Sequence, residues 1–307
     1  MDVIVHGGAG SPPDEPADRQ AVLDEAADRG READDPLAAV CGAVGVLEVD
    51  PRFNAGVGSA VQSDGRIRTD AGVMTGTGTT GAVAGMEGVA RAAEVARAVA
   101  TETPHVMLAG ERAVAFADVV GVETGVDCWA DRTRERWDEE SPPTGPADQV
   151  RWVRERFGGG IAGDVETDGD APPSFGESAP DHDTVGAVAR AGDAVAAATS
   201  TGGRWAALAG RVGDVPQVGA GFYASPAGGA SATGAGEDIA REGLARRAVG
   251  LLERGADAAT AARLAVEEFD DAADGSAGVV VLGADGTAGE AYNSPAMQTA
   301  RTGPDRD

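Results

Sequence analysis

The chain has 307 residues, 42% of them hydrophobic, with 46 glycines, which suits one large turn-rich domain or two small ones. Its formal charge of −26 comes from 51 acidic against 25 basic residues; that excess, spread along the chain, repels nucleic acid and anionic membrane. Every basic residue is arginine, so phosphate-loop lysines, Schiff bases and Ser-Lys dyads are excluded.

Residues 2–6 read as a short buried strand entering a glycine turn. Asp35 before Pro36 supplies an N-cap acceptor and a first-turn proline for a helix running to about Glu48. Segments 60–62 and 66–69 flank Ser63-Asp64-Gly65, a hairpin signal, and the apolar spacing over 88–100 and 110–120 predicts two helices around a strand near 106–109. From Asp131 to Asp181 apolar periodicity is weak. Acidic, Arg- and Trp-rich sequence gives way to Gly158-Gly159-Gly160 and a run of Asp, Gly, Pro and Ser, so residues 131–183 are read as a flexible linker. Apolar order returns at Thr184-Val185-Gly186-Ala187-Val188-Ala189. A hairpin is predicted from 184–189 and 194–199, then a glycine-rich strand at 218–223, helices near 237–252 and 256–269, and a closing hairpin of 279–282 and 287–291. The strands outnumber what helices on one face could cover, which predicts a layered α/β sandwich.

The start of the chain lacks a basic leader and no apolar run is long enough to span a bilayer, so a cytoplasmic location is expected. Cys41 and Cys128 lie in apolar surroundings and read as buried thiols. His6, His105 and His182 are far apart, with neither an H-E-x-x-H nor a G-x-S-x-G pattern, which disfavours a zinc hydrolase and a Ser-His-Asp triad; no metal site is predicted. The lysine-free, acidic composition has a salt-adapted look, and GC-rich codon use is a rival reason for the missing lysine.

Thr184 opens a strand directly after the linker. If the bond before it is cut, the new α-amine, which titrates near ~8 in model compounds, can act as base for its own hydroxyl without histidine or lysine. Taken alone, Thr184 is also an ordinary β-branched strand residue. Arg211 and Asp214, three apart in a glycine-bounded loop, offer a fork for a carboxylate and an acceptor for an ammonium, or else a surface ion pair. Thr233-Gly234 can aim a hydroxyl and a backbone N–H at an oxyanion, or cap a helix. Thr201 ends a polar strand, and Asn54 suits an Asx turn as well as a polar contact to substrate.

Seven stretches carry a resemblance: His6–Gly10, Phe53–Ser59, Asp70–Gly76, Asp183–Val188, Thr199–Gly203, Gly210–Asp214 and Ala232–Glu237. In this order they resemble the plant-type asparaginase and isoaspartyl peptidase family, relatives of glycosylasparaginase among the N-terminal-nucleophile hydrolases, over nearly the whole chain. The resemblance implies a four-layer αββα sandwich, one domain cut into residues 1–183 and 184–307. It implies Thr184 as nucleophile with Thr201 beside it, Thr233 and Gly234 at the oxyanion, Arg211, Asp214 and Gly234 at the substrate, and Asn54 ordering water or the substrate amide. The implied reaction is hydrolysis of L-asparagine or β-aspartyl dipeptides, without a cofactor, in a dimer of processed protomers. A structural sodium held by backbone oxygens near Leu47–Gly58 is also implied, though carbonyl ligands leave no side-chain signature. Asp183 stands where most asparaginase-type relatives have glycine and resembles glycosylasparaginase and the threonine aspartase branch; Phe53-Asn54-Ala55-Gly56 resembles the asparaginase branch. Glycosylasparaginase, a threonine endopeptidase and an uncleaved non-enzymatic homologue are the alternatives.

Overall fold

A computed structural model describes residues 1–158 and 184–302. In chain order come β1 (Asp2–Gly10), α1 (Pro16–Arg31), α2 (Pro36–Val49), β2 (Thr69–Thr75), β3 (Thr80–Met86), α3 (Ala92–Glu102), β4 (Met107–Ala109) and α4 (Gly110–Val119). Then α5 (Asp131–Glu139) and α6 (Pro146–Phe157) precede β5 (Val185–Ala191), β6 (Ala194–Thr201), β7 (Phe222–Ser225) and β8 (Gly228–Gly234). The chain closes with α7 (Gly236–Glu242), α8 (Leu244–Glu253), α9 (Ala258–Asp270), β9 (Ala277–Gly283), β10 (Ala288–Tyr292) and β11 (Ala296–Thr302).

The strands form two sheets, one ordered β11-β1-β5-β6-β2-β3-β4 and the other β10-β9-β8-β7. Period-2 alternation decides which residues fill which layer. On β5, Val185, Ala187 and Ala189 join the core under α1–α3, while Val188 points between the sheets with Ile4, Val195, Ala197, Phe222, Val280 and Leu282. On β8, Ala230 and Ala232 pack under α8 and α9. Helices therefore cover the outer face of each sheet, and the four layers run α, β, β, α as the resemblance implies.

Local chemistry explains several elements. Asp35 accepts from Ala38 N at 2.9 Å and Pro36 opens α2, as read from sequence; Asp257 caps α9 in the same way. The predicted helix at 237–252 is two helices, because Gly243 takes φ 65° and turns the chain between α7 and α8. The expected hairpin at 60–69 shrinks to a single Val61–Ile67 bridge; the extended hairpin is β2–β3, whose small residues (Ala71, Gly72, Gly81, Ala82) gave no alternation to read. Likewise the strand expected at 218–223 begins only at Phe222. The linker reading is corrected over its first half: residues 131–157 carry α5 and α6, α5 docked by the edge-to-face contacts of Trp137 with Trp129 and Trp205, and α6 by Phe157 under Arg204. The rest of the expected linker, with His182, Asp183 and the bond before Thr184, lies outside the described residues.

Candidate active site

Directly opposed residues of antiparallel strands share one sheet face. Asp70 on β2 lies opposite Thr201 on β6, and Val185 opposite Ser200, so one step on Thr184 comes opposite Thr201. Thr184 Oγ1 donates to Thr201 Oγ1 at 3.1 Å, and Gly203 N donates to the same oxygen at 3.1 Å. Thr184 and Thr201 are 6% and 3% exposed, so this hydroxyl pair sits at the rim of the inter-sheet layer, shielded but reachable.

One step deeper, His6 faces Gly186, Gly186 faces Thr199 and Thr199 faces Gly72. Ser231, from the opposite sheet, enters over Gly186, where a Cβ would lie 1.9 Å from its Oγ. Thr199 Oγ1 donates to Gly221 O at 2.8 Å, so it accepts from Ser231 Oγ at 2.6 Å, and Ser231 accepts from His6 Nε2 at 2.8 Å. That order of donors makes His6 the neutral Nε2–H tautomer, with Nδ1 buried and unbonded. Burial is the main cause that pushes the imidazole down to about 3, against a smaller opposing effect of the Thr184 backbone. Thr233 is two residues along β8 from Ser231 and hence on the same face, toward the threonine pair; its Oγ1 accepts from Ala9 N at 3.2 Å. Gly234 takes φ 138°, and a Cβ there would be 2.2 Å from Ser276 O, so only glycine fits.

Arg211 and Asp214 meet at Gly236, where an added Cβ would lie 2.6 Å from Arg211 Nη2 and 2.7 Å from Asp214 Oδ1. The fork of Arg211 is engaged with Glu237, Nε to Oε1 at 2.8 Å and Nη2 to Oε2 at 2.9 Å. Burial alone would raise Glu237, but this fork outweighs it and holds the carboxyl at about 2. Asp214 Oδ2 is buried without a partner, and burial, opposed by the Arg211 charge, raises this carboxyl to about 7. Asp70 is also raised to about 7 by burial, opposed by a bond from Gly85 N and by the Arg211 charge.

Asn54 is committed to the loop that carries it. Nδ2 donates to Gly203 O at 2.7 Å, Oδ1 accepts from Ala60 N at 2.7 Å, and its carbonyl accepts from Gly202 N at 2.8 Å. These bonds reach beyond the two-residue span of an Asx turn and tie the loop to the strand end that follows Thr201. The carbonyls of Pro51, Phe53 and Gly58 accept from Arg132 at 2.8, 3.1 and 2.7 Å. Glu48 O accepts from Val57 N. Arg132 of α5 already brings a fixed cation to three of these carbonyls, and its charge opposes a sodium ion on the same atoms. Among the described residues no group of three or more His, Cys, Asp or Glu could hold a metal, and none of their helices is long and apolar enough to cross a membrane.

The structure brings Thr184, Thr201 and Thr233 onto facing strands, and Arg211 and Asp214 onto one glycine. Sequence reading missed the Glu237 fork, the acid Asp70 and the His6–Ser231–Thr199 chain. The last two depend on strand register and the first on a loop meeting the start of α7, although Glu237, Asp70 and His6 stood inside the quoted motifs.

A family model described as asparaginase matches residues 1–306. The chain belongs to the asparaginase family. It is 40% identical over 308 residues to a plant-type L-asparaginase of Pyrobaculum calidifontis, covering 96% of this chain and 94% of that one. A plant-type L-asparaginase of Pyrococcus abyssi is 36% identical over 312 residues, covering 97% and 95% of the two chains. An isoaspartyl peptidase/L-asparaginase of Danio rerio is 34% identical over 308 residues, covering 97% and 91%. Membership of the asparaginase family agrees with the four-layer architecture.

Proposed function

We propose that this protein cuts itself before Thr184 and then hydrolyses the side-chain amide of L-asparagine and of β-aspartyl dipeptides. The observation that carries the reading is the buried Thr184–Thr201 hydroxyl pair at 3.1 Å. Relatives named L-asparaginase and isoaspartyl peptidase/L-asparaginase across nearly the full length support it.

In this reading the freed Thr184 amine takes the Oγ1 proton as Oγ1 attacks the amide carbon, with Thr201 holding the hydroxyl in place. The oxyanion forms against the Thr233 hydroxyl and the Gly234 N–H, donors worth about 3 kcal/mol each in comparable sites. Collapse expels ammonia or the dipeptide's amine, protonated by the Thr184 ammonium, and leaves a Thr184 ester. Water, deprotonated by the same amine, then releases aspartate. Arg211 grips the α-carboxylate, and the unpartnered Asp214 Oδ2 receives the α-ammonium, whose arrival favours the ionised carboxylate. Asn54 keeps its loop against Gly202–Gly203 and so keeps Thr201 in place. Both α groups must be unblocked, which places endopeptidase action last. The acidic, lysine-free surface is read as salt adaptation, the location as cytoplasmic, and the assembly as a dimer of processed protomers; light scattering in molar salt giving one protomer mass would contradict the last.

Denaturing electrophoresis should show two chains, residues 1–183 and 184–307, with Thr184→Ala uncut and inactive and Thr184→Ser cut slowly, since serine keeps the hydroxyl but loses the methyl that restricts its rotamer. Normal processing of the alanine variant sinks the nucleophile assignment. Assays with L-asparagine, β-aspartyl-leucine, N-acetylglucosaminyl-asparagine and α-blocked asparagine should favour the first two. Turnover of the glycosylated compound alone would make it a glycosylasparaginase.

A further inference from the structure

We propose that α5 braces the active site from outside, with Arg132 as a positioning residue that acts on Thr184 through the Asn54 loop. This rests on the proposed roles of Thr184 and Asn54. Arg132 is the second residue of α5, and its guanidinium donates Nε to Pro51 O and Nη2 to both Phe53 O and Gly58 O, at 2.7 to 3.1 Å. Three carbonyls of one loop are thereby gathered on one rigid, planar cation, a task for which a lysine ammonium lacks the fork. The loop between those carbonyls carries Asn54.

From Asn54 the chain of contacts runs directly to the nucleophile. Its Nδ2 and carbonyl hold Gly203 O and Gly202 N at 2.7 and 2.8 Å, Gly203 N donates to Thr201 Oγ1 at 3.1 Å, and Thr201 Oγ1 accepts from Thr184 Oγ1 at 3.1 Å. A shift of the loop therefore moves the Thr201 oxygen that aims the nucleophile. The far end of α5 is tied to the same neighbourhood. Glu140, the residue after its last turn, accepts from Trp205 Nε1 at 2.9 Å and is itself forked by Arg156 of α6 at 2.9 Å. One short helix thus grips the loop before β2 at its start and the loop after β6 at its end. Thr133 Oγ1 accepts from Ala130 N and fixes the first turn on which Arg132 stands. The amino-terminal product of cleavage would then keep α5 and α6 docked as working parts of the mature enzyme.

The test is a double-mutant cycle on processed enzyme with L-asparagine. Arg132→Ala should lower kcat about tenfold with little change in KM, since it misaligns the nucleophile without touching substrate; that factor is one charge-assisted contact converted to rate. Asn54→Ala with Arg132→Ala should lie within about twofold of Asn54→Ala alone, because both act through one loop. Hydrogen exchange at Gly202 N should quicken in Arg132→Ala. Losses that multiply across the cycle, or an Arg132→Ala enzyme with unchanged kcat, overturn the brace. Full activity of Asn54→Ala beside an inactive Thr184→Ala overturns it as well, while leaving the nucleophile standing. If Arg132→Ala fails to fold, Arg132→Lys is read instead: a kcat between a third and a tenth of wild type, roughly, supports the fork, and wild-type kcat overturns it.

Discussion

Arg211 is the residue whose surroundings most change its expected behaviour. Alone it offers two parallel N–H donors to a carboxylate; in the fold that edge already holds Glu237, with the side chain only 14% exposed. The fork fixes the guanidinium in advance, so in its proposed role it would meet a substrate carboxylate with little further loss of rotamer freedom. Arg211→Ala should leave self-cleavage nearly intact, because the internal bond offers no free carboxylate, and should raise KM for asparagine about thirtyfold, the worth of one charge-assisted pair. Steady-state kinetics beside denaturing electrophoresis check both halves. An unchanged KM would remove Arg211 from the site.

At the scale of elements, β5 shows how a strand serves structure and chemistry at once. Its helix-facing residues, Val185, Ala187 and Ala189, are core, while its other face carries Thr184, then Gly186, then Val188. Gly186 lets Ser231 of the opposite sheet reach between His6 and Thr199, which gives the Ser231 and Thr199 hydroxyls and the Nε2 of His6 partners in a layer closed to water. Gly186→Ala places a methyl 1.9 Å from Ser231 Oγ and 2.5 Å from His6 Nε2. Overpacking of this kind costs about 1–3 kcal/mol, and breaking the chain adds to it. The variant should unfold at lower temperature and process slowly, as Thr184 is two residues away. A melting temperature and processing rate equal to wild type would show that the polar chain is incidental.

For the whole molecule, burial of titratable groups sets the pH response. Glu48 is fully buried; Oε1 accepts from Ser200 Oγ at 2.6 Å and Ala93 N at 2.9 Å, and Oε2 has no partner. Burial outweighs those bonds and raises the carboxyl from 4.5 to about 7. Asp70 and Asp214 are raised likewise to about 7. Each binds its proton more tightly folded than unfolded, so the stability they contribute is complete below about pH 4 and is lost as pH rises to about 7. His6 works in the opposite sense: lowered from 6.5 to about 3, it withdraws stability as pH falls across that range. Three carboxyls against one imidazole predict a net loss of stability between pH 5 and 7. In the uncut Thr184→Ala chain, Glu48→Gln should remove about 2 kcal/mol of that loss, since glutamine keeps the acceptor for Ser200 and Ala93 but cannot ionise. Urea unfolding at several pH values measures it, and identical pH slopes for the two chains would show that Glu48 does not titrate in this window.

Much of this was legible in sequence because the chemistry is local. The Asp35–Pro36 start of α2 and the hairpin of β5 and β6 rest on propensities and turns that need no partner, whereas Thr184, Thr201, Arg211, Asp214 and Thr233 were singled out by the resemblance of their motifs to a known family. The lysine-free composition fixed which reaction classes could not occur. Tertiary structure decided what depends on register and on contact between distant segments. The β2–β3 hairpin was hidden because its small residues are buried on both faces and leave no alternation. Helices α5 and α6 were hidden because they are held by tryptophan and arginine contacts to residues far along the chain, which polar, weakly periodic sequence does not announce. Asp70, Glu237, His6 and Arg132 stand in the sequence as an ordinary acid, a helix-start glutamate, a glycine-loop histidine and a surface arginine. Only tertiary packing gives them defined partners, and shifts the protonation of Asp70, Glu237 and His6.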